Sequence, residues 1–137
     1  MSAAPKPRAK PVDREGPIHR SILRYLRTAL PGAVIHHSPN ETKWRSEKAM
    51  RVVAKAKANG TLPGFPDLLV IWRGYVLGFE VKAEGGKLSK TQHAVGADMI
   101  ANGARWSVVR SIDEVAEYLR NWGLIKSPNA SKIRGSQ

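Results

Sequence analysis

Residues 64–82 read GFPDLLVIWRGYVLGFEVK, and this stretch decides the fold. Two apolar runs, 67–72 and 75–82, flank Arg73-Gly74, the pattern of a β-hairpin with a short turn. Strand periodicity puts Tyr75, Leu77, Phe79 and Val81 on one face, and Val76, Gly78, Glu80 and Lys82 on the other. Glu80 and Lys82 then stand about 6.6 Å apart along the strand. A two-residue loop pairs Trp72 with Tyr75, and carrying that register outward sets Asp67 opposite Glu80. Directly opposed residues have Cβ atoms about 4.5–5.5 Å apart, and two like charges there destabilise a sheet. Lys82 offsets part of the repulsion, and a hard divalent cation between the carboxylates would offset more. Gly78 is expected to leave room beside the pair. The bland alternative is a solvated ladder pair of Glu80 and Lys82, with Asp67 a turn residue; it holds if this sheet face is open.

Outward from the hairpin, residues 18–30 place Ile18, Ile22, Leu23, Leu26, Ala29 and Leu30 at helical spacing, and Pro31-Gly32 ends the run. Its start is either a cap at Asp13 or a first helical residue at Pro17, with Glu15 at or just before the N-terminus. Residues 33–37 read as a short strand. Residues 41–58 hold six basic against two acidic side chains with weak helical patterning, and Asn59-Gly60 closes them. Residues 89–101 predict a helix, 106–110 a strand and 112–122 a closing amphipathic helix. The element order is αβ(α)ββαβα, without repeats.

The chain has 137 residues, 42% hydrophobic and 25% charged, enough for one core. Three regions are expected: a basic flexible arm over 1–14, a domain over 15–122 and a flexible tail over 123–137. The net charge of +12, with a pI of about 10.5, points to a polyanion, with nucleic acid favoured over anionic lipid. The absence of cysteine excludes disulfide scaffolds, thiolate nucleophiles and Cys-based zinc sites. No apolar run approaches the roughly 20 residues of a membrane span, and residues 1–14 lack a secretory apolar region, so a soluble cytoplasmic protein is expected.

Other chemistries find less support. His36 and His37 face opposite ways on a strand, one expected in the core and one exposed, and no ligand cluster of zinc spacing accompanies them. No Gly-x-Ser-x-Gly elbow is present for acyl transfer, and Gly85-Gly86-Lys87 lacks the Walker spacing. Ser89 to Gln92 fits a capping box, so Gln92 is structural, functional or both.

Gly64-Phe65-Pro66-Asp67, Glu80-Val81-Lys82 and Leu88-Ser89-Lys90-Thr91-Gln92, in this order, resemble the PD-(D/E)xK nuclease pattern in its VRR-NUC (virus-type replication-repair nuclease) form. The resemblance spans roughly residues 15–120. It implies a restriction-endonuclease-like αβββαβ core, a mixed central sheet flanked by helices. It also implies a Mg²⁺- or Mn²⁺-dependent phosphodiesterase. Asp67 and Glu80 would hold the metal, with Glu15 as a further ligand directly or through water, and the Val81 carbonyl as an extra oxygen. Lys82 would orient or help deprotonate the attacking water and offset charge on the phosphate, and Gln92 would brace the water or Lys82.

Phosphate contacts are expected from Arg20, Arg24 and Arg27, from Lys43, Arg45, Lys48, Arg51, Lys55 and Lys57, and from Lys87 and Lys90. The expected activity is sequence-nonspecific, structure-selective cleavage of branched or flapped DNA by a homodimer. Two rivals are a non-catalytic DNA-binding module and an RNA-binding protein. The second is disfavoured because Phe and Tyr total only five and several of these occupy core positions.

Overall fold

The structure, a computed structural model, describes residues 3–5, 12–38 and 47–127. Eight elements follow the expected order: α1 (Glu15–Ala29), β1 (Val34–His37), α2 (Glu47–Ala58), β2 (Leu68–Trp72), β3 (Tyr75–Val81), α3 (Lys90–Ala101), β4 (Arg105–Val109) and α4 (Ile112–Asn121). The strands form one mixed sheet in the order β1-β2-β3-β4. The first three pair antiparallel, and α3 carries the chain across to β4, which runs parallel to β3. This is the α/β architecture the motif order implied.

The hairpin turn is Arg73-Gly74, and both residues take positive φ, 49° and 83°. That is the type I′ geometry that a two-residue hairpin favours. The register runs from Trp72↔Tyr75 to Leu68↔Phe79, as the short loop required. Ladder pairing stops at Leu68, so Asp67 stands one residue outside β2, and its backbone is free to bond elsewhere.

Leu68, Val70 and Trp72 of β2 and Leu77, Phe79 and Val81 of β3 bury one face of the sheet against Ile22 and Leu26 of α1 and Val115 and Leu119 of α4. Leu124 and Ile125 also pack on this core, so ordered packing runs a few residues past Trp122. The α1 start is settled by Asp13, whose Oδ1 accepts the Gly16 N–H at 2.8 Å, with Pro17 tolerated in the first turn. Among the described residues no helix is long and apolar enough to cross a membrane.

The opposite sheet face is covered by α3. Two glycines permit the approach: the indole of Trp106 lies where a Cβ on Gly96 would stand, 2.2 Å from Trp106 Cε2, and Met99 Cε and Pro66 Cγ occupy the space beside Gly78. The expected room at Gly78 is therefore taken by packing and not by a cation. Gly96→Ala is expected to force the indole outward and lower stability by about 1–3 kcal/mol, read as a drop in thermal midpoint with unchanged far-ultraviolet dichroism at low temperature.

The histidine pair also departs from expectation. His36 and His37 do alternate, but both are exposed. β1 is a four-residue edge strand, and His37 lies at its end, beyond the reach of the core, against the ring of His19 at 4.3 Å between centroids.

Candidate active site

Because α3 covers that sheet face, Glu80 is fully buried (0% exposed), which removes the solvated-ladder alternative. Its Oε1 accepts from Gln92 Nε2 at 3.0 Å, while Oε2 has no donor. The Asp67 carboxyl acts on Glu80 both through hydrogen bonding and through its charge. Two carboxylates cannot bond each other, so the pair is satisfied only by a shared proton or a cation. Burial is the largest cause that pushes the Glu80 carboxyl up, to about 9, followed by the hydrogen bond and charge of Asp67. The charge of Lys82 pulls it down and that of Glu15 adds to the rise.

Asp67 is fixed by three hydrogen bonds. Its Oδ2 accepts the Val81 N–H at 2.8 Å, and its carbonyl accepts from Ser38 N at 2.9 Å and bonds His37 Nδ1 at 3.1 Å. Leaving the ladder one residue early makes this possible: the carboxylate turns across the end of β3 while the carbonyl ties down the end of β1. Gln92 closes the capping box expected of it, and with the same side chain it reaches Glu80, where the resemblance implied the attacking water or Lys82. Its Oε1 accepts the Ser89 N–H at 3.0 Å and its own N–H donates to Ser89 Oγ at 3.1 Å, closing the capping box, while Nε2 reaches Glu80.

In front of Asp67 lies an open cavity of about 290 Å³. It is lined by the acidic Asp13, Glu15 and Asp67, by His19, Arg20 and His37, and by Gly16 and Val81. Glu15 thus borders the site from the first turn of α1. Lys82, half-buried, follows Val81, and its N–H donates to Val109 O at 3.0 Å. Gln92 is bonded directly to Glu80, Asp67 acts on Glu80 through hydrogen bonding and charge, and Lys82 and Glu15 act on it through their charges.

Among the described residues no group of three His, Asp or Glu side chains is placed to hold a metal ion by itself. The donor set nonetheless fits a hard cation of the Mg²⁺ class, which usually takes one or two carboxylates and completes its shell with water and substrate phosphate. The unpartnered Oε2 of Glu80, Asp67 and the open cavity supply those requirements, with Glu15 suited to a water-bridged place.

Of the expected phosphate contacts, Arg20 stands at the cavity and Arg24 and Arg27 are exposed further along α1. Arg51, Lys55 and Lys57 are exposed on α2, and Lys87 and Lys90 are exposed before and at the start of α3. Lys43 and Arg45 lie outside the described residues, as does the side chain of Lys48. Sequence reasoning did not place Asp13, His19 or His37 at the site. The signal for His19 was its position four residues after Glu15, on the same helical face. His37 was hidden because alternation gives a face but not where the core ends.

No family model matches the chain, and no curated protein matches it. Solved structures do. One described as a VRR_NUC domain protein aligns over 83% of this chain and 90% of its own, at 21% identity and a TM-score of 0.59. Another, described as a VRR_NUC domain, aligns over 81% of this chain and 99% of its own, at 25% identity and a TM-score of 0.53. With the motif order of 64–92 and the site built on it, these alignments give the chain the fold of the VRR-NUC domain.

Proposed function

We propose that this chain is a Mg²⁺- or Mn²⁺-dependent DNA endonuclease, sequence-nonspecific and selective for branched DNA such as four-way junctions or flaps, acting as a homodimer in the cytoplasm. The observation that carries the reading is the pairing of half-buried Asp67, which lines the cavity, with fully buried Glu80, whose Oε2 is unpartnered. A protein that only bound DNA would gain nothing from a carboxylate pair at the phosphate.

Asp67 and Glu80 would hold the cation, which supplies a water of lowered pKa and polarises the phosphoryl oxygen. Asp67 is held in place by Val81, Ser38 and His37, so it needs little reorganisation. Gln92 fixes Glu80 from α3. Lys82 orients the attacking water and stabilises charge on the phosphate, and Arg20 draws the backbone to the cavity mouth. With +12 of net charge, DNA affinity should fall steeply with salt. Two copies would present two such sites to the two strands of a junction.

The test compares a labelled four-way junction, a flap and matched linear duplex with Mg²⁺ or Mn²⁺, using Asp67→Asn and Lys82→Ala as controls. Metal-dependent cutting of the branched substrates, lost in both variants, is expected. Tight salt-sensitive binding with no cutting under either metal would replace the nuclease with a DNA-binding module. Light scattering at working concentration is expected to give twice the 15.1 kDa chain mass, and a monomer would remove the symmetric junction-cutting version.

A further inference from the structure

Lys82 is held from an unexpected quarter. Its main chain is tied to Val109 O, and Arg110 is the next residue after Val109. Arg110 Nη2 donates to Gly86 O at 2.9 Å, in the turn that follows Lys82. That turn is closed by Gly86 N–H to Ala83 O at 3.0 Å, and Gly85 takes the positive φ (79°) that a type II turn needs at its third residue. A Cβ built on Gly86 would stand 3.5 Å from Lys82 Cβ and 3.6 Å from Lys82 Cδ, so the turn faces the aliphatic stem of the lysine with about the space of a methyl group between them. The arginine is itself rooted: its own N–H donates to Glu114 Oε2 at 2.7 Å, and Glu114 N–H donates to Ser111 Oγ at 3.1 Å at the start of α4.

We propose that Arg110 is a positioning residue for Lys82, holding the 83–86 turn against the lysine stem and so aiming the ammonium group at the carboxylate pair. The inference rests on the nuclease reading for its kinetic consequence, but its geometry does not. A guanidinium bonded to a main-chain carbonyl holds the turn whatever residues the turn carries, and its planar fork loses little freedom in doing so. A lysine stem has four rotatable bonds, and without a wall its ammonium samples positions several ångströms apart. A turn that faces Cβ and Cδ at this distance bounds that freedom on one side.

The experiment uses the full chain and the variants Arg110→Ala, Arg110→Lys and Lys82→Ala, with the Arg110→Ala, Lys82→Ala double variant. On a substrate the wild type cuts, Arg110→Ala is expected to lower kcat about ten- to a hundredfold with KM within twofold, and Arg110→Lys to recover part of the loss. In the Lys82→Ala background the same change is expected to cost nothing further, because the group being positioned is gone. A second readout needs no activity. After reductive ¹³C-methylation, the Lys82 dimethylamino resonance, assigned by its loss in Lys82→Arg, is expected to shift or broaden in Arg110→Ala. A rise in KM with kcat intact makes Arg110 a phosphate contact and overturns the proposal, as do losses that multiply with those of Lys82→Ala. If the wild type cuts nothing, the nuclease reading falls and the resonance alone decides: unchanged in Arg110→Ala, it overturns the proposal.

Discussion

Glu80→Gln is expected to make the metal-free protein more stable and the enzyme inactive. The amide keeps the shape of the side chain, still accepts from Gln92 Nε2, and puts an N–H where Oε2 lacked a donor, facing the Asp67 carboxylate. The repulsion between buried Glu80 and half-buried Asp67 disappears. So does the anionic oxygen a divalent cation requires, and cleavage is expected to fall on the order of 10³-fold or more. Near pH 8 in EDTA, the thermal midpoint of the variant should exceed that of the wild type by about 4 °C or more. A variant less stable than the wild type throughout would mean that Glu80 is satisfied in the metal-free protein without Asp67's proton.

The wild-type protein in EDTA is expected to lose stability as pH rises from about 4.5 to about 9. Over that window the folded protein keeps the Glu80 proton that the unfolded chain releases, since burial and Asp67 raise the folded value from 4.5 to about 9. The native state then binds more protons than the unfolded one, and unfolding free energy falls with pH. Glu80's contribution is fully present below 4.5 and is spent once the pH passes 9. Mg²⁺ or Mn²⁺ should bind with release of this proton, so the rise in midpoint on adding metal should grow with pH across the window. Thermal melts at six or so pH values, with EDTA and with Mn²⁺, decide the matter. Parallel curves, with or without metal, would place the cation elsewhere. In Glu80→Gln the slope assigned to this group should vanish.

The hairpin made most of the fold legible. Because Arg73-Gly74 admits only a two-residue turn, one turn fixed the register of β2 on β3, and with it the meeting of Asp67 and Glu80. Ser89 and Gln92 announced the start of α3 through a local capping pattern. What stayed hidden was set by contacts distant in sequence. That Glu80 is buried depends on α3 lying across the sheet, which rests on Gly96 meeting Trp106 and Met99 filling the space beside Gly78. Periodicity in the hairpin could not distinguish that space from a cation pocket. His37 reaches Asp67 across 30 positions of sequence and His19 meets the His37 ring from α1, so neither contact leaves a local signal. Arg110 reads as a basic residue between a strand and a helix, and its partner Gly86 lies 24 positions away.

The anchoring of Asp67 joins the lifetime of the site to the fraying of an edge. β1 is the shortest strand, bonded to a neighbour on one side only, and its last residues hold the Asp67 carbonyl. Edge strands open at lower free energy than central ones, and each opening of β1 from its His37 end releases the carbonyl side of Asp67 while Val81 still grips its carboxylate. The site therefore loosens by halves. The sub-global opening that exposes the Ser38 amide to solvent exchange is the same event that slackens the main-chain anchor of Asp67, so exchange at this one amide reports how often the candidate site comes apart without the protein unfolding.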